Sequence, residues 1–350
     1  MDTGVPAEMP ACQPTAICYF CFASGRQNQC FELTKALWKP IEEIAHVSLG
    51  NEIFIVPSGS LAKIPIESLP IIEGKDIVLS EYFRKFARLS HARALYLQND
   101  GEIKSIALFG GLDYGQGSDS TNDSPKCRGY SVNTTSSDPT PLEAWQFLSG
   151  SRHEVDTIEK WLKTARKEVK SFNGLEGTSD AFKSLSGKAP DIIHIASHGF
   201  FETKNTAVNL PALKTDNPMS LSGLVFANGN EGWLYGSPQK HEGIVTAAEI
   251  AQMDLPSKIV VLSACHSGEG KLRADGVYGL QRGFKKAGVQ CLIMSLWMME
   301  DSAMQAFMEL FYSKLIGGKD RHIAFFDAKH ELMKATPNIS WTWAGLIMLD

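Results

Sequence analysis

The sequence predicts an α/β sandwich with a mainly parallel sheet flanked by helices, and three observations carry that expectation. Ile259-Val-Val-Leu-Ser263 is a short run of apolar or small residues without polar alternation, the pattern of a strand buried on both faces. Asp191-Ile-Ile-His-Ile-Ala196 and Val289–Leu296 repeat it. Helical patterns alternate with these runs, as crossover connections between parallel strands require.

In chain order, residues 1–15 are Pro-rich and polar and read as a leader, and Ala16–Phe22 reads as a first strand. Cys18 and Cys21 lie three apart, which in a strand puts them on opposite faces and roughly 10 Å apart. A buried apolar role suits them better than a metal. Phe31–Val47 fits a helix with Leu33, Leu37, Ile41 and Ile44 on one face and a kink at Pro40. Ile53–Val56 is a strand, residues 61–70 are extended and Pro-punctuated, and Ile103–Phe109 is a strand running into Gly110-Gly111. Residues 112–140 are dominated by Ser, Thr, Asp, Asn and Gly, a long loop and a candidate boundary or cleavage target. Ser151 with Glu154 three residues on suggests a capping box, opening a helix whose face carries Val155, Ile158 and Leu162. Val169–Phe172 reads as a strand and Ser179–Ser184 as a short helix. Residues 200–240, with an apolar island at Leu221–Phe226, are expected to form a flap. Thr246–Gln252, Val277–Lys286, Ser302–Leu315 and His322–Met333 read as helices, and Trp343–Leu349 as a last strand.

The 350-residue chain has 43% hydrophobic and 21% charged residues, ordinary for a globular core. A net charge of −5 with scattered basic residues argues against nucleic acid. No apolar run is long enough to span a membrane, and the amino terminus lacks the pattern of a signal peptide. Seven unframed cysteines favour a reducing compartment, so the expected location is cytoplasmic.

Two of the buried runs end in chemistry. The first is followed by Ala264-Cys265-His266-Ser267-Gly268 and the second by Ser197-His198-Gly199. Ligands of open α/β sheets bind outside the strand carboxyl ends, so a thiol and an imidazole base are expected to share one crevice. Cys265 alone more often reads as a buried structural thiol, and His198 alone commonly reads as a satisfied core histidine; the pairing, each close to a glycine, favours function. Gly199 and Ala264 are small enough to let backbone N–H groups face an oxyanion. His194 reads as a hydrogen-bonded core residue, and His266 as too divergent from its neighbour to be the base. Glu300 and Asp301 follow the third strand, either capping the next helix or facing substrate.

Ile193-His-Ile-Ala-Ser-His-Gly199 and Val260-Val-Leu-Ser-Ala-Cys-His-Ser-Gly268 resemble the histidine and cysteine motifs of CHAT domains, caspase-like cysteine proteases related to separases and metacaspases. Leu37-Trp-Lys-Pro40, Ile55–Leu61, Pro65–Leu69, Leu221–Val225, Gly279–Arg282 and Ser295–Trp297 extend the resemblance over nearly the whole chain from about Phe31. It implies a caspase-like sandwich divided into a leader and first strand (1–30), a non-catalytic half (31–140) and a catalytic half (141–350). It also implies His198 as base, Cys265 as nucleophile and an oxyanion hole from the N–H groups of Gly199 and Cys265. Metacaspases carry an acid two residues before the nucleophile, where this chain has Ser263.

The expected function is therefore a cysteine endopeptidase acting on a protein or peptide substrate, a regulated effector in signalling or defence. No cofactor, metal, nucleic acid or membrane is implied. The tentative P1 pocket is Asp301, Glu300 and Ser263, slightly favouring a basic residue, while Met294, Met298 and Met299 would suit Leu or Met. Helical repeats precede many CHAT domains and none is visible in this sequence, so the expectation is either a standalone effector or regulation by an activating protein partner. The rival readings are a catalytically silent scaffold on the protease fold, and a hydrolase or transferase of non-peptide thioesters or amides.

Overall fold

The computed structural model describes residues 27–48, 50–73, 75, 77–83, 85–96, 101–115, 144–202, 217–235, 242–264, 267, 268, 270–273, 276–336 and 340–350. The expected first strand, Cys18 and Cys21, most of the 112–140 loop, and residues 265 and 266 lie outside this set.

Thirteen described strands form along the chain: β1 (Glu52–Ile55), β2 (Lys85–Arg88), β3 (Ser105–Leu112), β4 (Glu168–Gly174), β5 (Ile192–Ala196), β6 (Gly199–Phe201), β7 (Ser222–Val225), β8 (Ile244–Thr246), β9 (Ile259–Ser263), β10 (Gly270–Arg273), β11 (Gly276–Gly279), β12 (Cys291–Ser295) and β13 (Leu346–Leu349). Eight make one sheet in the order β1-β2-β13-β12-β9-β5-β3-β4. All neighbours in it are parallel except β12 and β13. The fold is thus a mixed α/β sandwich on a mainly parallel sheet, as the unalternated runs require: β5, β9 and β12 are buried along their whole length.

The longer helices are α1 (Gln27–Leu37), α2 (Lys39–Ala45), α3 (Ser149–Thr164), α4 (Gly229–Tyr235), α5 (Leu280–Lys286), α6 (Asp301–Ile316) and α7 (Arg321–Ala335). Strand alternation assigns the faces. Gly110 of β3 lies under Val155 of α3, and His194 of β5 meets Tyr312 of α6, so these helices cover one face. Phe109 points the other way, stacking on Phe172 at 4.5 Å and meeting Phe182 and Phe226 edge-on. Phe182 in turn meets Phe284 of α5, so the second face is closed by α5 and the one-turn helix at Ser179–Lys183. A second sheet, β6-β7-β8, follows directly from the end of β5.

Several sequence expectations are corrected. The helix over 31–47 is two helices broken at Trp38, with Pro40 in the first turn of α2; Ile41 and Ile44 are exposed and α2 buries nothing. Residues 61–70 contain two short 3₁₀ turns, Gly59–Lys63 and Ile66–Ser68, rather than extended chain. Val277–Gly279 belongs to the β10–β11 hairpin, leaving only Leu280–Lys286 helical. The Ser151/Glu154 capping box does not form. α3 begins at Ser149, Ser151 Oγ donates to Leu148 O, and Glu154 is buried against the sheet. The apolar island Leu221–Phe226 is largely β7, paired in the second sheet rather than free as a flap. No described helix is long and apolar enough to cross a membrane.

Candidate active site

β5 and β9 lie side by side in register, with Ala196 opposite Ser263, and Ser197 N–H donates to Ser263 O at 3.2 Å. The chain after β5 places His198 just beyond the matched pair. Its ring is 4% exposed and sits between the rings of Tyr114, 4.9 Å away, and Trp145, 5.0 Å away. Nε2 lies 2.7 Å from Gln146 O. A carbonyl only accepts, so this bond assigns the ring proton to Nε2 and leaves Nδ1 as the acceptor. Burial drives the His198 pKa down to about 4, the Gln146 bond opposing it. His198 is therefore a neutral base at neutral pH. Behind it, Ser197 Oγ donates to Val225 O, so the Tyr114 hydroxyl, 3.0 Å away, is the donor to Ser197 Oγ.

Gly199 opens β6 opposite Leu224, and Val225 N–H donates to His198 O at 2.9 Å. This is the pattern of a non-hydrogen-bonded antiparallel pair, in which the ladder does not use the N–H of Gly199. Cys265 and His266 lie outside the described residues, but both flanks of the cysteine are fixed. Ala264 is buried at the end of β9; Ser267 Oγ accepts from Ser295 N–H at 3.2 Å, and Gly268 N–H donates to Ser295 O at 2.8 Å. A Cβ on Gly268 would stand 2.5 Å from Ser295 O, so only glycine permits this contact with β12.

His198 opens onto a cleft of about 30 Å³ lined by Leu148, Ser197, Ser263, Ala264, Met299, Asp301 and Met304. Of the residues expected around P1, Ser263 and Asp301 are in it. Glu300 is the N-cap of α6, and its exposed side chain does not line the cleft. Of the three methionines, Met299 lines the cleft; Met294 is buried in β12, and neither it nor Met298 is among the lining residues. Asp301 has its carboxyl pKa raised, by burial first and then by the charge of Glu154, against a lowering bond from Gly150 N–H. A side chain at residue 150 would collide with that carboxyl group, so Gly150 is required for the contact.

Beneath the cleft Ser263 Oγ donates to Glu154 Oε2 at 3.0 Å. Glu154 Oε1 lies 2.8 Å from His194 Nε2, within ion-pair distance but off the line of a good hydrogen bond. His194 Nδ1 meets Tyr312 OH at 3.1 Å. His194 is thus the hydrogen-bonded core residue expected. Sequence reasoning missed Glu154, Tyr114, Trp145 and Gln146. Glu154 was detectable, since it falls inside the apolar stripe Ser151, Val155, Ile158, Leu162. The other three lie beside the long polar stretch and carry no periodic signal.

The CHAT domain model matches residues 27–349. The chain belongs to the CHAT domain family. Tetratricopeptide repeat protein 28 of Homo sapiens is 36% identical over 114 residues, 32% of this chain but 5% of that protein. Its Mus musculus counterpart is 33% identical over 114 residues. This CHAT domain therefore spans a small part of the curated relatives it matches. Among solved structures, the Arg-specific cysteine proteinase gingipain R superposes with a TM-score of 0.52 over 92% of this chain and 66% of its own, at 7% identity. At that identity the likeness shows the shared caspase-like fold alone.

Proposed function

We propose that this CHAT domain is a regulated cysteine endopeptidase with Cys265 as nucleophile and His198 as base. The observation that carries the reading is the register. His198 and Cys265 each stand two positions beyond the matched pair Ala196–Ser263, on adjacent parallel strands, and the base presents an acceptor nitrogen. In this reading Nδ1 of His198 takes the Cys265 proton as the sulfur attacks the scissile carbonyl. The same proton passes to the leaving amine, and water then hydrolyses the acyl-enzyme. The N–H groups of Gly199 and Cys265 stabilise the oxyanion. Asp301 and Ser263 form the P1 pocket, favouring a basic side chain, and Glu300, which does not line the cleft, is left as the N-cap of α6.

The cleft of about 30 Å³ has room for little more than water. A P1 side chain enters only if Leu148, Met299 or Met304 moves, which supports a latent form opened by a protein partner. Residues 31–140 then serve as a supporting half, contributing Tyr114, and 141–350 as the catalytic half. We assign the protein to the cytoplasm, in a signalling or defence pathway. The narrow cleft equally suits a silent scaffold, the second reading.

The experiment is a peptide-library cleavage profile of the chain beside Cys265→Ala and His198→Ala, with folding checked by thermal melting. Cleavage by the wild type alone is expected. Equal cleavage by either variant removes the dyad, and no cleavage by any form, with partner supplied, leaves the scaffold reading.

A further inference from the structure

We infer that Asn230 is the positioning residue of the histidine base, because its amide grips the backbone of Trp145 on both edges. The inference deepens the peptidase reading and depends on it only where catalysis is measured. Asn230 lies in α4 and is 1% exposed. Its Oδ1 accepts from Trp145 N–H at 2.6 Å, and its Nδ2 donates to Trp145 O at 3.1 Å. Its own backbone N–H donates to Tyr114 O at 2.9 Å. One residue thus holds both chain segments that enclose His198. The first carries the Tyr114 ring; the second carries the Trp145 ring and then Gln146, whose carbonyl receives the Nε2 proton.

A carboxamide suits this position because it sets one acceptor beside one donor, matching a peptide N–H and C=O. Aspartate supplies acceptors only, and an aliphatic side chain supplies neither. Asn228 begins the grip: it adopts a left-handed φ of 61° and its N–H donates to Asp113 O at 2.9 Å. Trp145 also packs on Trp233 of the same helix at 4.9 Å, so its ring and its peptide are held from one element. If the Trp145 peptide turns, the Gln146 carbonyl and the tilted indole leave His198 together. The base then loses its orientation and gains water at once.

The titratable groups facing the site are Tyr114 on the ring, Asp301 across the cleft, and Glu154 behind Ser263. Asn230 is uncharged, so its removal acts on His198 through solvent access and orientation rather than charge.

The test uses the full chain with ¹⁵N-labelled histidine, His198 signals being assigned by their loss in His198→Ala. In Asn230→Ala the His198 titration is expected to rise from about 4 toward its ordinary value, by about one unit or more. The kcat should fall about 10²-fold with KM unchanged, as for a misplaced catalytic group. A merely structural role predicts a lower melting temperature with an unchanged His198 titration and unchanged kcat per folded molecule, and that result overturns the inference. If Asn230→Ala does not fold, Asn230→Ser carries the same measurement with the same two outcomes. If the wild type cleaves no peptide, the titration decides alone: a shifted His198 upholds the clamp while the peptidase reading fails.

Discussion

His194 and His198 come from one segment of chain and are both almost fully buried, yet they are held by opposite means. His194 sits in a polar shell: the Tyr312 hydroxyl lies 3.1 Å from Nδ1, and the Glu154 carboxylate stands 2.8 Å from Nε2, within ion-pair distance though off hydrogen-bond geometry. His198 sits in an aromatic box and spends one nitrogen on a backbone carbonyl, with no carboxylate partner among the described residues. A shell that sets a polar group beside each nitrogen leaves neither side of the ring open to a reacting group. A box that engages one and excludes water leaves a neutral ring with a free lone pair, the state a general base needs. Burial alone therefore does not separate a structural histidine from a catalytic one; the partners of both nitrogens do.

The strongest way to break this comparison is to exchange the consequences. His198→Ala is expected to lower peptidase activity by about 10³-fold or more, with a stability cost limited to the ring packing and the Gln146 bond, about 2 kcal/mol. His194→Leu is expected to do the reverse: it strands Glu154 and the Tyr312 hydroxyl, costing about 3 kcal/mol or more in denaturant unfolding. Activity per folded molecule should persist. Comparable activity losses in both, at matched folded fractions, would dissolve the distinction.

A smaller effect sharpens it through pH. The His198 pKa is about 4 in the folded protein against an ordinary value of 6.5. As pH falls from 6.5 toward 4 the unfolded chain takes up a proton that the folded chain refuses, so stability falls over that window. The loss is on the order of 3 kcal/mol. His330, also lowered to about 4, contributes in the same direction and stays in both proteins. Wild type minus His198→Phe thus isolates the box: the variant should lose about 2 kcal/mol less between pH 7 and 4.5. Identical slopes in urea titrations would mean that water already reaches the ring.

The histidines also show what was legible in the sequence. The unalternated runs at Ile192–Ala196 and Ile259–Ser263 announced buried parallel strands, and both formed as adjacent strands in register. The turns that follow marked the crevice end, because a strand's exit is local information. The box was not legible. Tyr114, Trp145 and Asn230 meet His198 or its holders across long sequence separations, through contacts that leave no period. Glu154 was visible as a glutamate on an apolar stripe, but its neighbour Ser151 suggested a cap instead. Ile41 and Ile44 mislead in the opposite sense: they share a helical face with Leu33 and Leu37 only if the helix is continuous, and it breaks at Trp38.

The smallest effect concerns the carboxylate that His198 faces rather than touches. Asp301 shares the cleft with His198, and its pKa is raised by burial and by Glu154. A basic P1 side chain needs Asp301 ionised, and a charge-assisted bond there is worth about 1.5–3 kcal/mol. Asp301→Asn should therefore lower kcat/KM about tenfold for a peptide ending in Arg and leave a matched Leu peptide unchanged. Because the pKa is raised, the preference for Arg in the wild type should fade as pH drops through a value above that of an ordinary aspartate. The fading should be absent in Asp301→Asn. The alternative is that Asp301 serves only to seat the start of α6 against Gly150 N–H. In that case the substitution reduces cleavage of both peptides equally, and P1 selection passes to Met299 and Met304, which line the same cleft and accept an apolar side chain.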